Sequence, residues 1–432
     1  MKKSILQKVL AVMARWTMRR YRPMVIGVTG SVGKTSARMA IHAALKKKFR
    51  CRTAEKNYNN EIGMALTILG LPHYGRNVLG WLYGLIRANK RIVWRGLYPE
   101  ILVLEYGVDR PGDMDYLLSL ARPDIAVVTA IGEIPAHVEF FENADRVWRE
   151  KAKLVEALSP DGCAILNRDD APVYRMKART KARTAVTYGE GEDADVRVAN
   201  YEVRMAQGGA FGSMPIGIGF KLEHKGSVVP VRMSGVFGRP HATAAAAAAA
   251  VALTLKINLV EIAEALREYA PAPGRMRLIR GIAGSLILDD TYNASPEAVR
   301  SALQTLHDLP TGKRKIAVLG DMLEIGAYAE QAHRAVGRLA ADFLDILVSV
   351  GERASFIADE AAARGIESGR IMRYGDSRSA GRALASFLQE GDLVLVKGSQ
   401  GVRMERIVEV IMAEPQRAGE LLARQDPEWK QK

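Results

Sequence analysis

Apolar residues in the first half of the chain gather into short unbroken runs: "MVIGVT" (24–29), "ILVLEY" (101–106), "IAVVTAI" (125–131) and "CAILN" (163–167). Runs of that length without polar alternation predict strands covered on both faces, as in a mostly parallel sheet. Between them apolar positions recur at helical spacing, in "SARMAIHAALKKKF" (36–49) and over 143–158. Strand and helix in alternation predict a doubly wound α/β domain.

Residues 186 to 237 change character. "AVTYG", "VRVANYEVRM", "IGIGFKLEHKG" and "VVPVRMSGVFG" are short, β-rich and punctuated by glycine, which predicts antiparallel hairpins. "HATAAAAAAAVALTL" (241–255) predicts a tightly packed helix rather than a low-complexity linker. "YAPAPGR" (269–275) reads as a connection, after which the α/β rhythm restarts with "SLILDD", "KIAVLGD", "DILVSVG" and "DLVLVKGS". The expected organisation is a basic amphipathic segment at 1–23 and a central α/β domain at 24–270. That domain combines a mostly parallel sheet with an antiparallel β subregion, and a Rossmann-like domain follows at 271–432. The last 20 residues are polar and predict a frayed helical extension.

Two segments fit less simply. In "MKKSILQKVLAVMARWTMRRYRP" the apolar positions fall largely on one side of a helix, with Lys2, Lys8, Arg15 and Arg19 available to the other. Arginines stand where a secretory signal would place small residues for cleavage. Such a helix suits packing on its own domain, the preferred reading, or an anionic membrane surface. Residues 73–100 are rich in Trp, Tyr and Arg. A helical connection burying its own aromatics is preferred there over a membrane-facing or partner-binding insertion.

Composition narrows the picture. With 432 residues and 48% apolar content the chain can bury two or three cores. The excess of 62 basic over 48 acidic residues, +14, favours nucleotides, acidic metabolites, nucleic acid or anionic lipid, and fits general basicity equally well. Two distant cysteines, Cys51 and Cys163, exclude a disulfide scaffold and a cysteine metal site. No apolar run approaches the roughly 18 residues that a spanning helix needs.

The candidate chemistry begins at "VIGVTGSVGKTSARM". Gly30, Ser31, Val32, Gly33, Lys34 and Thr35 form Gly-x-x-Gly-Lys-Thr between a predicted strand and helix, although Val28 stands where a full P-loop has its first glycine. Backbone N–H groups in such a turn, together with the helix N-terminus, cradle phosphate oxygens. Lys34 supplies positive charge, and the Thr35 hydroxyl suits Mg²⁺. Further along come Asn57, Asn59 and Asn60, then Glu105 at a strand end, His137 beyond the next strand, and Lys151 within a helix. Taken singly, a surface Glu, a loop His and a solvated Lys explain these residues.

Taken in order, with "LNRDD" (166–170) after them, they resemble the central domain of the Mur ligases, ATP-dependent amide-forming enzymes of peptidoglycan precursor synthesis. "GRM" (274–276), "LDDTYNASP" (288–296), "VLGDMLEIG" (318–326) with His333, and "VLVKGSQGVRME" (394–405) resemble the dipeptide-adding branch of that family. The resemblance spans roughly residues 24 to 412. It implies that Gly30 to Ser36 and Asn60 hold ATP, joined by Arg275, Asp290 and His333 from the second domain. Thr35, Glu105, His137 and Lys151 would serve two Mg²⁺ ions, with Lys151 carrying a CO₂-derived carbamate. Tyr292, Asn293, Lys397 and Ser399 would face the amine. Lys34, His137 and Lys151 would be the catalytic residues.

The implied substrates are an anionic muropeptide-like acceptor and a D-alanyl-D-alanine-like amine, with no nucleic acid. The implied enzyme is a cytoplasmic monomer, and the N-terminal helix leaves open the inner face of the membrane. The alternative substrate readings are poly-γ-glutamate, cyanophycin, folyl-polyglutamate or pseudomurein synthesis. A non-catalytic scaffold would have no use for Lys34, Thr35, Glu105, His137 and Lys151. Two departures from the family stand out. The first strand begins at Met24, where the family carries an N-terminal UDP-gripping domain, so UDP recognition is expected to differ. Ala245 stands four residues after His241, where the family has an Asn near the adenine.

Overall fold

The computed structural model describes residues 3–54, 60–75, 77–94, 96–207, 213–310 and 313–430; Asn57 and Asn59 lie outside them. Its architecture is α/β with two sheets. The first has nine strands: β1 (Met24–Thr29), β2 (Cys51–Thr53), β3 (Ile101–Glu105), β4 (Ile125–Val128), β5 (Cys163–Asn167), β6 (Thr184–Gly189), β7 (Val196–Gln207), β8 (Ser213–His224) and β9 (Ser227–Ser234). Their order is β2-β3-β1-β4-β5-β6-β7-β8-β9. Pairing is parallel from β2 through β7 and antiparallel for β7–β8 and β8–β9.

The hairpin expectation therefore holds only from β7 onward. "AVTYG" forms β6, parallel to β5, because a short helical crossover at 171–179 separates the two strands. β7 then joins β6 through two parallel pairs only, Tyr188 with Val196 and Gly189 with Arg197.

Helices cover the sheet: α1 (Lys3–Tyr21), α2 (Lys34–Leu45), α3 (Glu61–Leu69), α4 (Val78–Trp94), α5 (Asp113–Leu120), α6 (Ala144–Glu156), α7 (Ala171–Tyr174), α8 (Arg239–Thr254) and α9 (Leu259–Leu266). Asn60 starts α3 by accepting from the Gly63 N–H at 2.9 Å, and Gly70 ends it at φ 65°. Asn143 caps α6 in the same way, through the Arg146 N–H. The alanine run forms α8, with Ala245 through Ala250 fully buried between α2 and strands β5 to β8. A helix enclosed on all sides needs apolar residues all round, and methyl side chains let neighbouring backbones approach closely.

The second sheet has the order β10-β11-β15-β12-β13-β14. Its strands are β10 (Arg277–Arg280), β11 (Leu286–Asp290), β12 (Lys315–Gly320), β13 (Ile346–Val350), β14 (Ile371–Tyr374) and β15 (Leu393–Lys397). Only β10 is antiparallel to its neighbour. Helices α10 (Pro296–Asp308) and α11 (Ala329–Ala341) lie in this half.

The polar tail is not frayed. Leu422, Ala423 and Arg424 are buried, and Arg424 donates to the carbonyls of Thr291 (2.6 Å) and Tyr292 (2.9 Å) and pairs with buried Glu405 at 2.8 Å. A guanidinium can reach several acceptors at once, which anchors a segment whose apolar content is low.

Candidate active site

The loop from β1 to α2 is built by close backbone approach. Gly30 has φ 145° and Gly33 φ 87°, conformations that side-chain-bearing residues rarely adopt. Ser31 and Val32 donate their N–H groups to the Ala130 carbonyl at 2.7 and 3.1 Å, and the Thr129 hydroxyl donates to the Val32 carbonyl at 2.6 Å. The loop is thus fixed against the end of β4 before any ligand arrives. A Cβ on Gly30 would lie 2.1 Å from the Thr129 hydroxyl oxygen. We expect Gly30→Ala to abolish measurable ATP binding in calorimetry while leaving far-UV circular dichroism unchanged; retained affinity would disprove a phosphate role for this loop.

Charge converges on the same loop. Lys34 Nζ donates to the Gly30 carbonyl at 2.7 Å, and the fully buried Lys151, from α6, reaches that same oxygen at 3.2 Å. Burial lowers the Lys34 ammonium. Burial first, and then the charge of Lys34, push Lys151 down to about 7, against the opposing pull of Asp109, Glu150 and Asp113. An amine poised there is neutral, and so nucleophilic, in about half of the molecules at neutral pH.

At the end of β3, the Thr35 hydroxyl stands 3.2 Å from the Glu105 carboxylate, which also pairs with Arg38 at 3.3 Å. Arg38 is fixed in turn by Thr53 and the Ala54 carbonyl. Among the described residues no three His, Cys, Asp or Glu side chains converge into a metal cage. The Thr35 and Glu105 oxygens are of the kind that Mg²⁺ takes, one or two from the protein beside substrate phosphates and water.

His137 faces two other carboxylates. It sits at φ 67°, with Nε2 3.3 Å from Asp109 and Nδ1 2.6 Å from Glu324 of the second half. Hydrogen bonding to His137 holds the Glu324 carboxyl below its usual range. Next to it the Glu139 N–H donates to the Glu324 carbonyl at 3.3 Å, so this corner joins the two halves.

The second half supplies a further group at the junction. Arg275 lies over the Tyr292 ring at 4.3 Å, and its Nε is buried without a partner, as is the Ser31 hydroxyl in the phosphate loop. Two unpartnered buried polar atoms, on opposite sides of the junction, mark where polar ligand atoms belong. His241 bonds the Tyr269 hydroxyl at 2.8 Å, Tyr269 bonds Ser36, and burial lowers His241 to about 4, which keeps it neutral. A cleft of about 1620 Å³, bordered by Arg38, Asn60, Asp109, Tyr292, Gln400 and Arg424, separates the halves nearby.

Other expected residues serve the scaffold in this structure. His333 is fully buried, with Nδ1 on the Ala329 carbonyl (2.6 Å) and Nε2 accepting from the Met322 N–H (2.9 Å). Lys397 is buried on Asp290 at 2.5 Å and donates to the Asn293 carbonyl. Ser399 accepts from the Leu323 N–H at 2.8 Å, and the Asn293 side chain accepts from the Gln400 N–H at 3.4 Å. Together these bonds tie the loop after β11 to those after β12 and β15. Asp109, Thr129, Tyr269, Glu324 and Arg424 escaped the sequence reading. Glu324 lies inside a motif already singled out, whereas nothing in the polar tail points to Arg424.

Comparison with known proteins accords with this geometry. Residues 94–252 match the Mur ligase middle domain and residues 274–400 the Mur ligase glutamate ligase domain. The chain is 30% identical over 392 residues to the UDP-N-acetylmuramoyl-tripeptide–D-alanyl-D-alanine ligase of Bacillus subtilis, covering 90% of this chain and 76% of that one. The chain belongs to the Mur ligase family. The corresponding Escherichia coli Mur ligase is 28% identical, with 92% and 79% covered. Among solved Mur ligases, MurF from Thermotoga maritima in complex with ADP superposes with a TM-score of 0.74 at 27% identity, covering 96% of this chain and 85% of that one.

Proposed function

We propose that the protein is an ATP-dependent ligase of cell-wall precursor synthesis. It joins the carboxylate of a muramoyl-tripeptide-like acceptor to the amine of D-alanyl-D-alanine or a similar dipeptide, releasing ADP and phosphate. The observation that carries this reading is the pair of lysines on the Gly30 carbonyl beside Thr35 and Glu105. It is supported by relatives whose names state that reaction.

The chemistry opposes like charges, since a carboxylate must attack the γ-phosphate of ATP to form an acyl phosphate. The N–H groups at the start of α2 and Lys34 offset that repulsion, and the seat of the loop on Ala130 means that they need little reorganisation. Thr35 and Glu105 would hold Mg²⁺, which when bound supplies charge neutralisation on the phosphates. Lys151, by adding as a neutral amine to CO₂ and releasing a proton, would become an anion beside Lys34 able to support a second ion. Arg275, Tyr292 and Asp290 would close on the nucleotide from the second half. Contact between His137 and Glu324 joins the halves at one corner, and closure of the cleft beside it would exclude water from the acyl phosphate. In this reading the enzyme works as a cytoplasmic monomer.

Phosphate release from ATP tests the assignment across UDP-linked muropeptides, lipid-linked muropeptides and free amino-acid polymers, each with and without D-alanyl-D-alanine. We expect turnover only when a muropeptide and the dipeptide are both present. Turnover with glutamate as the sole amine would overturn the substrate assignment and leave the ligase chemistry standing.

A further inference from the structure

Helices α1 and α4 lie side by side, held by a Tyr21–Tyr98 stack at 4.4 Å and a hydrogen bond from the Tyr21 hydroxyl to the Arg91 carbonyl. Each buries one face: Leu10, Ala11 and Ala14 in α1, and Trp81, Gly84 and Ala88 in α4. Each also leaves an apolar stripe in solvent. In α1 this comprises Ile5, Val9, Val12 and Trp16, spaced by three or four residues. In α4 it comprises Leu79, Leu82, Tyr83, Ile86, Val93 and Trp94, again at helical spacing, with Leu79 77% and Trp94 72% exposed. Leu97, just beyond α4, is 85% exposed. The expectation that 73–100 buries its own aromatics thus holds for Trp81 and Tyr98 and fails for Tyr83 and Trp94.

Charge decides what covers these stripes. Neither helix contains an Asp or a Glu, while Lys8, Arg19 and Arg20 in α1 and Arg87 and Lys90 in α4 are exposed beside the apolar positions. Aromatic and aliphatic residues flanked by uncompensated cations are the composition of helices that lie in the plane of an anionic bilayer. A second copy docked symmetrically would set basic helix against basic helix without a counter-charge. No helix among the described residues is long and apolar enough to cross a membrane, so the contact is peripheral.

We propose that α1 and α4 together form a face that seats this protein on an anionic lipid surface. The same segment borders the cleft between the two halves through His73, Tyr74 and Asn77, immediately before α4. A bilayer under α4 therefore lies next to the wall of that cleft. This inference stands independently of the ligase reading.

The test is co-sedimentation of the full chain with phosphatidylcholine vesicles, with and without phosphatidylglycerol, read together with tryptophan emission. We expect binding and a blue shift only with phosphatidylglycerol, reduced at least tenfold at about 1 M salt, where charge screening acts within about 3 Å. Leu82→Glu/Ile86→Glu places carboxylates on side chains already in water, so melting temperature and ATP turnover should not change while vesicle binding is lost. Failure of the wild-type chain to bind phosphatidylglycerol vesicles would overturn the proposal. Binding unaffected by the double substitution would overturn it too, as would a dimer in light scattering that the substitution dissociates in place of any lipid effect.

Discussion

Replacing Lys151 by alanine should cut ATP turnover by about 100-fold or more, the scale on which a single electrostatic contributor at a reacting centre acts. A short-chain carboxylate such as propionate should restore part of it. The side chain is fully buried, touches the Gly30 carbonyl and is held to about 7 by burial and by Lys34. A permanently charged lysine there would repel both Lys34 and any metal, whereas a carbamate would pair with them. Alanine removes the carbamate and leaves a space that an exogenous carboxylate can enter. If Lys151 served packing alone, Lys151→Met would be nearly as active as the wild type, and propionate would change nothing. Unchanged turnover in Lys151→Ala would end the carbamate reading.

The strands were legible because they are buried on both faces, so their apolar runs are unbroken: "MVIGVT", "ILVLEY" and "CAILN" correspond to β1, β3 and β5. The misreading of "AVTYG" has a physical source. A buried strand that follows a short crossover looks like a hairpin strand, because direction is set by the connection and not by the strand's own residues. The phosphate loop was legible because glycine is needed where the backbone touches Thr129 and Ala130. Partnerships between residues far apart in the chain were not legible. His137 meets Glu324, and Arg424 meets Tyr292, over separations that no local pattern encodes. His333 and Ser399 show the same limit. Their motif is readable in the chain, but the bonds that their polar atoms make to the Met322 and Leu323 N–H groups are not.

Lys34→Met should lower kcat by roughly 100- to 1000-fold with the melting temperature within a few degrees of the wild type. Lys34 Nζ donates to the Gly30 and Ser31 carbonyls. Methionine keeps the length and the apolar stem but cannot neutralise phosphate, so the loss should fall on the step in which charge develops. Binding of ADP, which lacks the γ-phosphate, should weaken much less than turnover falls. Lys34→Arg should rescue little, because the wide guanidinium does not fit where a compact ammonium meets the Gly30 carbonyl that Lys151 also reaches. If Lys34→Met instead lost ADP affinity and kcat in equal proportion, Lys34 would be a nucleotide anchor and not a stabiliser of phosphoryl transfer. If turnover survived, the lysine would merely brace the loop from inside, and the phosphate cradle would rest on backbone N–H groups alone.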